Sequence, residues 1–282
     1  KYSLVLFICR NLFMYKDSLL LFRPFFIYII FPSFIVCSLI IQSNLSTVIL
    51  IVGVVFFIVF ISGYPFLSFC KHLIFPSLIG FGLFLTILCL PPIQIVDQLL
   101  PRLTTWKNRI CAKEIKAIPF TWIDHSQYDP NQNHNNNYQI NNALAAIHSG
   151  GLFGKGAGKS YYKRLLPDSK SDFIFAILIE EYGLIGGVVV LLLYLLFYQR
   201  IIVLSIKSQD DFPRLLLLGL GSIVMFQALL HMGVSVNLIP VTGQTLPLIS
   251  KGGSSVWVTS LAFGIIINIS HQINNQINTH NA

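Results

Sequence analysis

Charge is what this sequence has least of. Asp, Glu, Lys and Arg make up 11% of its 282 residues, where a soluble domain carries about 25%. Mean hydropathy is correspondingly high, at +0.71. Between Arg23 and Lys71 there is no ionisable acid or base. One helix of that length would extend roughly 70 Å, more than twice the hydrocarbon thickness of a bilayer. The segment must fold back, and Gln42-Ser43-Asn44 is its polar break. A soluble globular fold is excluded on these grounds alone.

Other shortages exclude other classes. The five cysteines show no CxxC pair and no zinc-ligand spacing, and only Cys111 falls in a long polar segment, so no disulfide framework is supported. The seven histidines form no pair at helical spacing, which leaves no protein metal site evident. Gly158-Lys159-Ser160 resembles the tail of a phosphate-binding loop, but that motif requires glycine at position 153, where Phe153 stands. No apolar strand precedes it, since residues 126–142 are rich in Gln, Asn, Asp and His. A nucleotide fold and nucleic-acid binding are not indicated.

What is present is a series of apolar runs. They predict spans near 25–41, 46–62, 73–96, 173–198, 214–238 and 254–270, with residues 2–13 as the end of a further span. The chain opens inside an apolar run without an initiator Met, and we expect earlier spans to precede it. The expected fold class is all-α, a polytopic transmembrane helix bundle with one large extracytoplasmic loop at 98–171. Arg10, Lys16, Arg23, Lys71, Arg200 and Lys207 gather on one side in the short loops, against Lys251 on the other. The first side is then cytoplasmic, as is the C-terminus. The long loop holds ten of the nineteen Lys and Arg residues but is too long to set orientation. Its basic surface suits an anionic ligand or membrane lipids.

Within that loop, residues 98–118 form an amphipathic stretch with Arg102, Trp106 and Arg109. The glycine-rich run after Ser149 has two readings. Glycine could provide flexibility and close packing, or its backbone N–H groups could form an anion nest, with Lys155, Lys159, Lys163 and Arg164 adding charge. Asp172 opens the span that follows. It could cap that helix, with Ser169-x-x-Asp172 resembling a capping box, or act as a catalytic acid or base. Glu180 and Glu181 lie about 12 Å further along, and Glu180 stays within about 80° of the same helical face. Carboxylates inside a membrane span usually face a cavity or a partner.

Four segments carry a family resemblance: "TVILIVGVVFFIVFISG", "SGGLFGKGAGKS", "LPDSKSDFIFAILIEEYGLIGG" and "FQALLHMGVSVNLIPVTGQTLPLISKGGSS". Together, and in this order, they resemble the SEDS family (shape, elongation, division, sporulation), the FtsW branch more than RodA. The resemblance covers essentially the whole chain. It implies a ten-span fold, of which about seven spans are present and the first three absent.

It also implies a peptidoglycan glycosyltransferase that polymerises lipid II and works with a class B penicillin-binding protein and other divisome proteins in the bacterial cytoplasmic membrane. The family's essential aspartate corresponds to Asp172, and its paired glutamates to Glu180 and Glu181. Its serine-ended motif corresponds to Leu246–Ser255, which places Ser254 and Ser255 among the substrate-binding candidates with Arg102 and the loop cations. Whether a divalent cation assists the pyrophosphate is left open. His231 and Lys251 depart from the family pattern. Direct displacement with inversion, and Asp172 as general base, would turn an α-linked donor into a β-1,4 glycan. Two other readings share the features: a flippase for the same lipid-linked precursor, and a non-catalytic division scaffold.

Overall fold

The computed structural model describes residues 1–16, 18–41, 44–64, 136–166, 171–239 and 241–280. The expected span 73–96 and the amphipathic stretch with Arg102 lie outside the described residues. Among the described residues every regular element is helical. They are α1 (Tyr2–Met14), α2 (Arg23–Ile41), α3 (Leu45–Ile61), α4 (Asn136–Gly150), α5 (Ile174–Lys207), α6 (Asp211–Ser235) and α7 (Gly253–His280). Four of them, α2, α5, α6 and α7, are long and apolar enough to cross a membrane, and α1 and α3 are shorter apolar helices.

Burial ranks these helices. In α6, 83% of the most apolar window is buried, against 22% in α5 and α7 and 11% in α2. The bundle is therefore organised around α6, which packs against α1, α3, α5 and α7. Small residues allow the approach. A side chain at Gly219 would stand 2.8 Å from Val5 on α1 and 3.0 Å from Ile58 on α3, and one at Gly221 would stand 2.5 Å from Ile201 on α5. Such close helix contacts are how membrane bundles gain dispersion energy without a hydrophobic drive between helices. On α2 and α5, Phe34, Leu39, Leu193 and Leu196 remain exposed, as lipid-facing side chains should.

Local irregularities follow from identifiable residues. Pro32 in α2 has no N–H to donate to the Tyr28 carbonyl. That oxygen is taken instead by Asn11 Nδ2 of α1, at 3.0 Å. The preceding turn is a π-turn over Phe26–Ile30, a common accommodation of a disturbed ladder. At the start of α3, Asn44 caps the helix by accepting from Thr47 N. This is the predicted polar break, now seen as a helix start.

The last irregular segment is a strap, residues 236–252, between α6 and α7. It turns on Asn237, Gly243 and Leu248, all with positive φ. Side chains from the surrounding helices hold it. Gln227 Nε2 donates to Thr245 O at 2.7 Å, Ser46 Oγ to Thr242 O at 3.0 Å, and Gln244 Nε2 to Thr47 Oγ1. Tyr194 of α5 donates its hydroxyl to Pro247 O. Extended backbone at membrane depth is tolerated only when its polar groups are met in this way.

Candidate functional site

The glycine-rich loop joins α4 to α5 at a break in α5. Gly183 has φ 75 and ψ 179, a conformation open essentially to glycine alone. In an unbroken helix, Leu184 N and Ile185 N would donate to the carbonyls of Glu180 and Glu181. Here the loop supplies the partners. Lys155 N donates to Glu180 O at 3.0 Å and Gly156 N to Glu181 O at 2.9 Å, while Leu184 N donates to Gly151 O at 2.9 Å and Ile185 N to Leu152 O at 3.4 Å. The loop is stitched into the helix in place of one turn of its ladder. This is why glycine is required: a Cβ at Gly150 would lie 2.2 Å from Ile179 O, and one at Gly183 would lie 2.1 Å from Leu152 O.

Glu180 lies at the centre of the stitch and is 0% exposed. Five donors converge on its carboxylate. Lys155 Nζ lies at 2.9 Å, Tyr161 N at 3.0 Å, Tyr162 N at 3.3 Å and Ser149 Oγ at 3.5 Å, with Ser160 Oγ in closer contact. A buried charge is tolerable when paired and fully hydrogen-bonded. Lys155 also sits 5.7 Å from the centre of the Tyr162 ring. Burial, followed by the nearby Glu180 carboxylate and Tyr161, pushes the Tyr162 phenol above its usual pKa. Glu181 is paired with Lys163 Nζ at 3.5 Å.

These contacts correct two expectations. The loop does gather donors around an anion, but the anion that occupies Lys155, Ser160 and the backbone at 161–162 is the protein's own Glu180. Nor, among the described residues, do the glutamates line a cavity with Asp172, since one is closed off and the other is paired. Residues 184–207 alone would extend about 36 Å, enough to cross the hydrocarbon core, so the glutamates need not enter it. Lys159 and Arg164 are exposed and form no ion pair among the described residues.

Asp172 is held differently. It lies in the turn before α5, partly exposed. The N-cap of α5 is Phe173, with no side-chain cap hydrogen bond, so Asp172 does not cap the helix; Ser169, the other half of the expected capping box, lies outside the described residues. Ser171 Oγ donates to Asp172 Oδ1 at 2.9 Å. Oδ2 faces the strap, 3.6 Å from where a Cβ on Gly243 would lie. The turn is anchored from the strap, because Ser250 Oγ donates to Ser171 O at 2.8 Å. The next strap residue, Gln244, is tied to His231, whose Nδ1 lies 2.7 Å from the Gln244 carbonyl. That nitrogen must carry the proton, since a carbonyl can only accept. His231 Nε2 is buried without a hydrogen-bond partner among the described residues.

The remaining candidates divide. Ser255 Oγ lies 3.0 Å from Thr245 Oγ1 and so braces the strap, while Ser254 is exposed. Sequence reading missed Ser149, Ser160, Gly183 and Gly243. Of these, only Gly183, a glycine inside an apolar span just after two acids, left a signal. Among the described residues no three His, Cys, Asp or Glu side chains come together as metal ligands.

The family model for FtsW/RodA/SpoVE cell cycle proteins matches residues 1–275. The chain belongs to the FtsW/RodA/SpoVE family. Stage V sporulation protein E of Bacillus subtilis strain 168 is 31% identical over 274 residues, covering 96% of this chain and 66% of that protein. The probable peptidoglycan glycosyltransferase FtsW of Enterococcus hirae is 42% identical over 138 residues, covering 49% of this chain and 35% of that protein. The matched stretches thus span between about a third and two thirds of these relatives' lengths.

Two solved structures share the fold at 22% identity, each over 96% of this chain. One is a peptidoglycan synthase complex studied for how it coordinates polymerization and crosslinking, at TM-score 0.57 and 68% coverage of its chain. The other is the crystal structure of a mutant of the rod shape determining protein RodA from Thermus thermophilus, at TM-score 0.52 and 63% coverage. An FtsW/RodA/SpoVE protein with this set of apolar helices is a multi-pass membrane protein.

Proposed function

We propose that this protein is a peptidoglycan glycosyltransferase of the cell-division type, which polymerises lipid II into β-1,4 glycan strands with Asp172 as general base. The observation that carries the reading is the contrast in how the carboxylates are held. Asp172 has one oxygen oriented by Ser171 and the other turned toward the strap, whereas Glu180 is fully enclosed. A general base needs an oxygen that can reach the hydroxyl it deprotonates.

In this reading Asp172 takes the proton of the acceptor sugar's 4-hydroxyl as O4 attacks C1 of the donor sugar. The C1–O bond to the pyrophosphate breaks, and undecaprenyl pyrophosphate leaves with the electron pair. A single displacement inverts the α-linked donor to a β linkage. Lys159 and Arg164 are the loop cations left for the leaving pyrophosphate, because Lys155 and Lys163 are engaged by the glutamates. Charge developing on the leaving oxygen strengthens such contacts in the transition state. Ser254 and Arg102 complete the proposed substrate contacts.

The loop 98–171 faces outward from the bacterial cytoplasmic membrane in this proposal, with the C-terminus on the cytoplasmic side. A class B penicillin-binding protein and other division proteins are the proposed partners. The enclosure of Glu180 weighs against a flippase, which would draw on an open carboxylate inside the membrane.

The test is reconstitution of the full-length protein with its partner and labelled lipid II. Asp172→Asn should yield no glycan strands while still inserting and binding the partner. Near-normal polymerisation by this variant would remove Asp172 as the base.

A further inference from the structure

The opposite end of the bundle holds a second built feature. Starting from the Asp172 side, α5 runs away to Lys207, and α6 begins there at Asp211. The end of α1 with the turn after it, the end of α3 and the start of α6 line a cavity of about 370 Å³ there, within the range of small-molecule sites. It is separate from the strap and the glycine loop.

Its walls are fixed. Tyr64 donates its hydroxyl to Leu19 O at 2.9 Å and stacks on Phe25 with ring centres 4.9 Å apart. Both Tyr64 and Leu19 are buried. Leu12, Phe13 and Leu215 form an apolar side, continuous with the span ends, and Phe13 also packs on Phe212 at 5.7 Å. Lys16, Asp211 and Arg214 supply the polar side. Lys16 Nζ is bonded to Asp211 Oδ2 at 2.7 Å. Arg214 is exposed, and its guanidinium makes no hydrogen bond or ion pair among the described residues. Two cations against one acid leave this wall with a single net positive charge.

We propose that this cavity binds a lipid with a monoanionic phosphodiester headgroup. Arg214 is the primary phosphate contact, since a guanidinium matches two phosphate oxygens at once. Lys16 is the secondary contact, shared with Asp211, and Leu12, Phe13 and Leu215 receive the first methylenes of an acyl chain. The cavity lies where helices leave the hydrocarbon, the level at which a headgroup and the start of a chain meet protein together. Asp211 offsets one of the two cations, and one monoanionic phosphodiester neutralises the charge that remains. The assignment rests on the membrane-spanning fold and not on the proposed polymerase activity.

The experiment is calorimetric titration of the delipidated full-length protein, in a neutral detergent, with dioctanoyl phosphatidylglycerol. Dioctanoyl phosphatidylcholine and water-soluble glycerophosphoglycerol serve as comparison ligands. Phosphatidylglycerol should bind more tightly than either. Arg214→Gln should weaken it about tenfold, the loss of a charge-assisted contact, and Arg200→Gln, an exposed cation outside the cavity, should leave it unchanged. Asp211→Asn frees Lys16 and adds net positive charge, so it should tighten binding severalfold, a gain that misfolding cannot produce. Equal weakening by Arg200→Gln would show nonspecific attraction and overturn the site. Binding of glycerophosphoglycerol as tightly as the lipid would assign the cavity to a soluble anion instead. Unchanged or weaker affinity in Asp211→Asn would also sink the proposal.

Discussion

Asp172 and Glu180 are eight positions apart, the first in the turn before α5 and the second near the end of its short first section, and their surroundings are opposite. Glu180 is fully buried with five donors on its oxygens. Asp172 is partly exposed, with a single donor among the described residues. A carboxylate whose lone pairs are all taken holds structure together. One with an oxygen to spare can accept a proton from a hydroxyl within reach, the role proposed for Asp172. The resemblance already separates the two residues, and their hydrogen bonds differ in the sense that the proposed roles require.

The largest expected effect tests the Asp172 side of this contrast. Asp172→Asn keeps the shape and loses the base, so turnover should fall by about 10²–10⁴-fold, the usual share of general-base catalysis. Its thermal midpoint in detergent should match wild type, because no cap or ion pair is lost. A lowered midpoint with proportionate loss of activity would make Asp172 structural, and the contrast would collapse.

On the Glu180 side the expectation is reversed. Glu180→Ala leaves Lys155 and the surrounding buried donors without their acceptor and should cost about 3–5 kcal/mol, as for other broken buried pairs. Glu180→Gln should be damaging too, because its NH₂ group would face donors. Lys155→Met should cost less, since four donors remain and Lys155 is 37% exposed. Lys155→Met matching Glu180→Ala in thermal unfolding would mean that the ion pair, and not the whole cage, carries the stability.

Gly183→Ala asks whether the stitch itself matters. The positive φ alone should cost about 1–3 kcal/mol, and the Cβ would meet Leu152 O at 2.1 Å. The loop should then detach, which limited proteolysis near Lys155 would report as faster cleavage. Unchanged cleavage would show that the loop is held by Glu180 alone.

Much of the fold was legible because lipid imposes simple demands. The runs without charge located α1, α2, α3, α5, α6 and α7 to within a few residues at most ends, and Gln42-Ser43-Asn44 located the turn before α3. The exceptions were α5 and α7, which extend beyond their predicted ends at 198 and 270 to Lys207 and His280. Apolar length gives the part of a helix in lipid, and not where its polar continuation stops.

The site was legible only in part. The residue types were found, but not who bonds whom. Ser149, Ser160 and Tyr161 reach Glu180 across some twenty to thirty residues of chain, and such pairings leave no periodic trace. Gly183, just after two acids, hints at a break, but nothing in the composition shows that its carbonyls are met from a distant loop. The strap was likewise seen as a motif but not as the element that fixes Asp172, which depends on the Ser250 contact to Ser171 O.

The smallest expected effect concerns the loop cations, and it sharpens the comparison within a single segment. Lys155 and Lys163 face the glutamates, while Lys159 and Arg164 are exposed and unpaired with any described acid. If the second pair meets the pyrophosphate, Arg164→Gln and Lys159→Gln should each lower kcat/KM by about three- to tenfold, a modest figure because water screens exposed contacts. The loss should shrink at high salt, since screening weakens the wild-type contact as well. A larger fall in kcat than rise in KM would show that the contact strengthens as the leaving group gains charge. Lys163→Gln should act through Glu181, lowering the unfolding midpoint slightly at unchanged salt dependence. The reverse pattern, with Lys163 salt-sensitive and Arg164 silent, would mean that the Lys163 pair opens when substrate binds.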